Sequence, residues 1–164
     1  GILFIVPEGG GTPSPALLTT VFEFIRDEYP PTLTFALLVQ VPLYKTVNVY
    51  TVVFLRAGAI AATVKAAIIA NITAFFAITL PDGSANLNVD FGFNYTAETG
   101  DSDPAVAWSD VLEVIKLTTG VRKISDDDDG LLLNTVNDDV ILLRQEFPVL
   151  GTITILNGGT GLPL

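Results

Sequence analysis

Hydrophobic and polar positions follow two different periods along this chain, and together they predict a mixed α/β protein. Apolar residues recur every three or four positions in residues 17–25, 58–77 and 109–119, as on one face of an amphipathic helix. Residues 46–55 alternate instead with a period of two, which is typical of a half-buried β-strand. Ser14, followed by a proline, predicts the start of the first helix, because serine caps a helix and proline fits its first turn.

Several other segments have the pattern of strands. A continuous apolar run at residues 2–6 predicts a first strand that is covered on both faces. Pro42 separates a strand at residues 34–41 from the strand at 46–55, because proline cannot donate to a sheet ladder. Further strands are predicted at residues 87–95, 121–124, 131–136, 140–144 and 152–156, with a hairpin turn at 137–139 and a rigid corner at 147–151.

This order of elements predicts an α+β or mixed α/β fold in two parts. Residues 1–43 form a β-α-β subdomain, in which a helix connects two strands. Residues 44–156 form a second small α/β subdomain that ends in short strands, and residues 157–164 form a tail. A chain of 164 residues is long enough to bury a substantial core.

The amino-acid composition disfavours several classes of function. The chain has no His, Cys or Met, although 49% of it is hydrophobic. It therefore lacks the usual proton shuttle at neutral pH and the usual thiolate nucleophile or metal ligand. A net charge of −10 disfavours nucleic acid, whose phosphates are neutralised by Lys and Arg. We expect no enzyme activity, no cofactor and no nucleic-acid partner.

One long apolar stretch must be distinguished as either a transmembrane helix or a helix buried in the protein. Residues 57–80 carry a single charge, Lys65, but polar residues such as Asn71 interrupt them. The large apolar side chains repeat at helical spacing and form one face, at Ile60, Val64, Ile68, Ile72 and Phe75. This pattern favours a buried helix, so we expect no membrane insertion.

Two short motifs suggest ion binding. The three glycines at positions 9–11 precede a helix, whose free N–H groups can hold an anion, but no Lys follows them as in a P-loop. The run Asp126–Asp129 offers carboxylates to calcium, although Ser125 and Val136 do not fit the helix-loop-helix calcium pattern. A surface loop and a solvated acidic turn are the favoured interpretations, and we predict no metal site.

Neither the carboxylates nor the serines form a recognisable catalytic set. The carboxylate candidates are Glu23, Glu28, Glu98, Glu113 and Glu146, and the serines are Ser14, Ser84, Ser102, Ser109 and Ser125. No spacing brings two of the carboxylates together, and the serines have no histidine partner. We therefore predict no catalytic residue.

An aromatic-rich region flanks the polar loop at residues 96–105. It contains Phe91, Phe93 and Tyr95 before the loop and Trp108 after it. Such residues belong either to a core or to an interface, where Trp and Tyr are enriched. These four residues are our candidates for contacts with a partner.

The order of several motifs resembles that of a known family. The motifs are Phe4-Ile5-Val6-Pro7 before the glycines, Pro30-Pro31 before a strand ending at Val41-Pro42, residues 47–52, Ala74-Phe75-Phe76, Trp108-Ser109-Asp110-Val111-Leu112 leading to Thr119-Gly120-Val121, and residues 146–155. Together they resemble the C-terminal half of the baseplate J-like proteins of contractile phage tails and related injection machines. The chain lacks the family's N-terminal region, so we expect a piece of a longer polypeptide, and it has a longer polar insert at residues 81–107.

The resemblance implies a structural role in the virion. It implies a subunit of the baseplate wedge at the tip of a bacteriophage tail, assembled in the host cytoplasm. The implied partners are other wedge and tail proteins and a second copy of the chain, and the family has no catalytic residues to carry over. The residues by themselves leave a second hypothesis, a small α/β module that binds an anion or Ca²⁺ without catalysis.

Overall fold

The computed structural model of the protein describes residues 1–29, 36–86, 88–92 and 105–164. The chain forms two compact units, an N-terminal unit (Gly1–Leu43) and a C-terminal unit (Tyr44–Leu164). The described residues contain the helices α1 (Pro15–Glu28), α2 (Ala61–Phe75) and α3 (Trp108–Lys116). Their strands are β1 (Ile2–Phe4), β2 (Leu38–Gln40), β3 (Leu43–Leu55), β4 (Ala105–Val106), β5 (Val121–Ile124), β6 (Leu131–Leu133), β7 (Val140–Ile141) and β8 (Glu146–Asn157). The predicted α+β class with a leading β-α-β unit is confirmed.

In the N-terminal unit, β1 and β2 pair in parallel, with Ile2 opposite Leu38 and Phe4 opposite Gln40. Helix α1 connects the two strands and packs against β2. It begins as predicted, because the Ser14 hydroxyl accepts a hydrogen bond from the Leu17 N–H at 3.1 Å. Helix α1 therefore links β1 and β2 as predicted, and Pro30 and Pro31, which follow it in the sequence, lie outside the described residues.

The prediction that the first strand is covered on both faces is wrong. The Ile2 side chain is 56% exposed, and β1 ends at Phe4 rather than at residue 6. A continuous apolar run is typical of a strand between two layers, but among the described residues of this unit only α1 contributes a layer. The second strand begins at Leu38, and residues 34 and 35 of its predicted range are not described.

The C-terminal unit is built around β3. Strands β5 and β6 pair antiparallel with successive parts of β3, and β8 pairs with β3 as well. The predicted alternation along β3 is confirmed, since every second side chain is buried, at Val47, Val49, Thr51 and Val53. Helix α2 packs against α3 and buries Val64, Ile68, Ile72 and Phe75, which are four of the five predicted residues. The fifth, Ile60, precedes the helix and is exposed.

The predicted hairpin around residues 137–139 is wrong. β6 pairs with β3, and β7 pairs with β4 instead of with β6. The chain turns earlier, at Asn134 and Thr135, whose φ angles are 50° and 74°. The Asn134 side chain supports this turn, because its Oδ1 accepts the Asn48 N–H at 2.8 Å and its Nδ2 donates to the Thr46 carbonyl at 2.9 Å.

Two further predictions near the C-terminus differ from the structure. The predicted corner at residues 147–151 is part of the long strand β8, in which Pro148 is tolerated because β8 lies at an edge of its sheet. The predicted tail at residues 157–164 folds back on β8. The Leu164 N–H donates to the Ile155 carbonyl at 2.9 Å, and the Lys65 ammonium donates to the Leu164 carbonyl at 2.6 Å.

The predicted strand at residues 87–95 is also wrong over its described part. Residues 88–92 form turns, and residues 87 and 93–95 lie outside the description. The Asn86 side chain turns the backbone here by accepting the Asn88 N–H at 3.1 Å. Within the described ranges, none of the helices has both the length and the apolar character required to cross a bilayer.

Candidate interaction surfaces

The N-terminal unit leaves much apolar surface uncovered. Helix α1 has an apolar face at Leu17, Leu18, Val21, Phe22 and Ile25, as predicted, but none of its side chains is fully buried. The only buried residues among the described ones of this unit are Pro13 and Pro42. Phe24 is 61% exposed and Tyr29 is 72% exposed. The face predicted to enter a core is therefore only half covered within the described chain.

The sheet of this unit is open on one face. Ile2 and Leu38, which lie opposite each other in the register, are both more than half exposed. Leu3 and Val39 form the neighbouring pair and are half-buried. Successive residues of a strand point to opposite faces, so α1 protects the Leu3–Val39 face and leaves the Ile2–Leu38 face exposed.

The C-terminal unit contains a cleft of about 370 Å³ beside Trp108. Its apolar wall consists of Trp108, Leu112, Ile124 and Leu131, and its polar wall consists of Lys116, Lys123, Ser125, Asp126, Asp127, Asp128 and Asn137. The indole N–H of Trp108 donates to the Leu131 carbonyl at 3.0 Å. This hydrogen bond holds the ring in place at the N-terminal end of α3. The aromatic ring is therefore a fixed wall of this cleft.

The start of α3 explains why Trp108 occupies this place. The sequence predicts Ser109 as the cap, but the helix begins one residue earlier. The Asp139 carboxylate accepts the Trp108 N–H at 2.6 Å, so a residue distant in sequence supplies the cap. The Ser109 hydroxyl instead donates to Asp110 at 3.3 Å.

The acidic turn that borders the cleft is held together by its own neighbours. The Lys123 ammonium donates to the Asp126 carboxylate, and this hydrogen bond, together with the lysine charge, lowers the pKa of Asp126. The Ser125 hydroxyl donates to Asp127 at 2.8 Å, and the Asn137 amide donates to the Asp128 carbonyl at 3.1 Å. Across the described parts of the chain, no group of three or more acidic side chains is arranged to hold a metal ion.

Two of the four predicted contact residues, Phe91 and Trp108, are described, and they lie in different environments. Phe91 is half-buried, and its ring packs edge-on against that of Phe147 of β8, with centroids 5.0 Å apart. Trp108 is half-buried in the wall of the cleft. Phe93 and Tyr95 lie outside the described residues. Within that description, Trp108 is the candidate that borders an open cavity, whereas Phe91 joins an aromatic pair.

The glycine loop at residues 9–11 is stabilised by a hydrogen bond to a nearby residue. The Gly10 N–H donates to the Pro7 carbonyl at 2.8 Å, and Gly10 and Gly11 have φ angles of 75° and 78°. Ser14 occupies one of the free N–H groups at the start of α1, as described above. The loop therefore acts as a turn that leads into a capped helix.

Among the carboxylates and serines considered above, Glu146 and Ser84 make local structural hydrogen bonds. Glu146 accepts the Leu143 N–H at 2.8 Å, and Ser84 donates to Asp82 at 2.6 Å, which lowers the pKa of Asp82. Glu23 and Glu28 lie exposed on α1 and Glu113 lies exposed on α3. Glu98 and Ser102 fall outside the described residues.

Sequence reasoning missed Phe24 and the two cleft lysines. Phe24 lies off the predicted apolar face of α1, and a large aromatic residue directly after Glu23, on the polar side of the helix, was the available signal. Lys116 and Lys123 both line the cleft because α3 packs against β5. The sequence of neither segment predicts that packing. A scan of the chain against models of known protein families and a search of curated proteins give no match.

Proposed function

We propose that the chain is a structural subunit of the baseplate wedge of a phage tail or tail-like injection machine, assembled through protein–protein contacts. The proposal joins the motif order described above to one observation, the incompletely covered apolar surface of the N-terminal unit. Helix α1 is amphipathic but has no fully buried side chain, and Phe24 is 61% exposed. Large exposed apolar patches mark sites where proteins bind other proteins, and we propose that the exposed side of α1 is part of such a site.

The energetic argument supports assembly. A unit of about 40 residues buries too little surface to be stable alone without disulfides, metals or a partner. The chain contains no cysteine for a disulfide. Complete burial of a Leu, Ile or Phe side chain contributes about 1.5–3 kcal/mol. Covering Ile2, Phe24 and Leu38, each more than half exposed, would therefore supply about 3–5 kcal/mol.

The acidic character of the chain is consistent with assembly by apolar contact. A net charge of −10 favours solubility before the partner is met. The apolar residues of α1 and β1 then provide the attraction, while the charge disfavours nonspecific self-association. We infer that partners contact the N-terminal unit and the Trp108 cleft and that the chain performs no catalysis.

Electron microscopy of the native particle tests this function. A tag on the chain is used to purify whatever assembly contains it, and its copies are located in the map. A ring of copies around a tail axis is the expected result. Recovery of the chain alone, or in an assembly without a tail, would contradict the proposal.

A matched pair of variants tests the surface. Phe24→Asp and Leu162→Asp both replace exposed apolar side chains, with 61% and 65% exposure. We expect the first to lower incorporation into the particle and the second to leave it unchanged. Equal incorporation of both variants would show that α1 is not a contact surface. Thermal shifts with Ca²⁺ or phosphate in the isolated chain would favour the binding-module hypothesis instead.

A further inference from the structure

Asn157 is the only asparagine in the sequence that is followed by glycine. Glycine has no side chain to shield its main-chain nitrogen, so this nitrogen is unusually free to attack the side-chain amide of the asparagine before it. Asn157 ends β8, and Gly158 begins the turn that leads into residues 159–164. The pair therefore has the groups needed for deamidation, and the fold decides how each group is held.

The fold activates the side-chain amide of Asn157. Its Oδ1 accepts the Gly159 N–H at 2.9 Å. When a nucleophile attacks Cγ, negative charge develops on this oxygen, and a donor that already points at it stabilises that charge. The residue is also fixed through its main chain, because its N–H donates to the Leu162 carbonyl at 2.9 Å and its carbonyl accepts the Gly161 N–H at 2.7 Å. The amide is thus polarised for attack.

The fold blocks the attacking nitrogen of Gly158. Its N–H donates to the carbonyl of Val53 at 2.9 Å, and Val53 is fully buried in β3. The Phe54 ring covers Gly158, since a Cβ added there would lie 2.6 Å from the ring carbons. The nitrogen attacks only after losing its proton, and a main-chain proton held within a sheet reaches solvent base only when the strands separate locally. Reaction therefore requires the end of β8 to open from β3.

We propose that Asn157 is a deamidation site that reacts when the end of β8 opens from β3. On opening, the deprotonated Gly158 nitrogen forms a bond to the Asn157 Cγ and closes a succinimide ring. The Cγ–Nδ2 bond breaks, and the side-chain nitrogen takes up a proton and leaves as ammonia. Water then adds to one of the ring carbonyls and gives aspartate or isoaspartate, a covalent change of the chain. This inference does not depend on the proposed function.

The products alter how residues 158–164 pack on β8. In the intact chain the Leu164 N–H donates to the Ile155 carbonyl at 2.9 Å. Isoaspartate places an extra carbon in the main chain, so the hydrogen bonds of Gly158 to β3 and of Leu164 to β8 no longer have compatible geometry. Aspartate keeps the main chain and adds one negative charge to a chain whose net charge is −10. We expect isoaspartate to release residues 158–164 from β8.

Peptide-mapping mass spectrometry tests the dependence on opening. The whole chain is incubated at mildly alkaline pH, either folded or in concentrated urea, and aspartate and isoaspartate are measured at every asparagine. In urea we expect Asn157 to react fastest, because every other asparagine precedes a larger residue. In the folded chain we expect its rate to be lower by about tenfold or more, since the opened strand end is a minor population.

A matched pair of variants tests the contact with β3. Phe54→Ala removes the ring that covers Gly158, whereas Phe24→Ala removes an exposed ring of α1. We expect Phe54→Ala to raise the rate at Asn157 in the folded chain by about threefold or more, because opening becomes more frequent. Phe24→Ala should leave that rate unchanged, and all three chains should react equally in urea. Circular dichroism establishes that each variant is folded.

Three results would overturn the proposal. Equal rates in the folded chain and in urea would show that the sheet does not protect the pair. Faster reaction of another asparagine in urea would place the site elsewhere. An unchanged rate in folded Phe54→Ala would show that opening at Gly158 does not control the reaction. The comparison of the folded chain with the chain in urea uses the native sequence, so it decides the question even where Phe54→Ala does not fold.

Discussion

Replacement of Asn86 is expected to destabilise the C-terminal unit more than its single side chain suggests. Asn86 is 3% exposed, and its side chain reaches the C-terminal end of α2, which ends at Phe75. Its amide nitrogen donates to the carbonyls of Phe75 at 2.8 Å and Ala77 at 2.7 Å. Its amide oxygen accepts the Asn88 N–H at 3.1 Å. The side chain therefore satisfies carbonyls at the end of α2 that have no partner within the helix.

The magnitude follows from these contacts. A buried polar group that loses its partner costs about 1–3 kcal/mol, and an ordinary hydrogen bond contributes about 1 kcal/mol. For Asn86→Ala, which removes the partner of two carbonyls and of one N–H, we expect a loss of about 2–4 kcal/mol in the free energy of unfolding. Asn86→Asp should cost more at neutral pH, because a carboxylate then faces the carbonyl oxygens without a donor.

The aspartate variant also predicts a pH dependence. Burial beside carbonyl oxygens raises the pKa of a carboxyl in the folded chain above its value in the unfolded chain. The penalty of Asn86→Asp is therefore complete above the folded pKa and decreases as the pH falls through it. At low pH the protonated carboxyl can donate one hydrogen bond, so its stability approaches that of Asn86→Ala.

Urea unfolding monitored by circular dichroism provides the assay. Asn88→Ala is the matched control, since Asn88 is exposed and contributes only its main-chain N–H to the Asn86 contacts. The control should change the free energy of unfolding by less than about 0.5 kcal/mol. A loss below about 1 kcal/mol for Asn86→Ala would refute the reasoning, as would a pH-independent penalty for Asn86→Asp.

Three further substitutions are expected to have distinct effects. Thr51→Val should change stability by less than about 1 kcal/mol in urea unfolding, although Thr51 is fully buried, because the Gly130 carbonyl that it binds also accepts a main-chain N–H. Gly120→Ala should cost about 2–4 kcal/mol by the same assay, because φ is +93° and an added Cβ would lie 2.5 Å from Val64 Cγ2. Lys123→Gln should raise the pKa of Asp126 towards its ordinary value in an NMR titration of the carboxyl groups, because the lysine hydrogen bond and charge keep it low.

Control variants and contradicting results test the reasoning behind these expectations. Gly9→Ala should be nearly neutral, since nothing lies within 4 Å of an added Cβ there, and an equal cost at both glycines would disprove the steric reasoning. Lys116→Gln should leave the pKa of Asp126 lower than usual. Because the folded pKa of Asp126 is depressed, its pair with Lys123 stabilises the fold at neutral pH and the effect disappears as the pH falls through that pKa. A Thr51→Val loss above about 2 kcal/mol would mean that the Gly130 carbonyl depends on the hydroxyl.

The sequence predicts best where one period runs without interruption. β3 alternates from residue 46 to residue 54, and its buried side chains are the predicted ones. Helix α2 buries the predicted face, because its large apolar residues recur at helical spacing. Ser14 caps α1 through a contact between near neighbours in sequence. In each case the information that determines the structure lies within one segment.

The predictions that are wrong depend on contacts between distant residues. Asp139 caps α3 from 31 positions away and shifts its start from Ser109 to Trp108. Asn134 turns the chain by binding Asn48, 86 positions away, which prevents the predicted hairpin. Thr135 accepts a left-handed φ of 74° in this turn, which a β-branched residue rarely adopts. The partners of Asp139 and Asn134, which are Trp108 and Asn48, both lie outside residues 131–144, so no local pattern there predicts either contact.

The two units differ in how completely they bury their apolar side chains. The C-terminal unit has a core of fully buried Ile68, Ile72 and Ile115 and satisfies its buried side-chain polar groups among the described residues. The N-terminal unit uses the same sequence devices, an apolar strand and an amphipathic helix, yet in its described part it fully buries none of its Leu, Ile, Val or Phe side chains. Since folding must recover the entropy lost on ordering the chain, this difference in burial supports the proposal that a partner covers the N-terminal unit. Phe24, which is 61% exposed on α1, is therefore the position where mutation should separate assembly from folding.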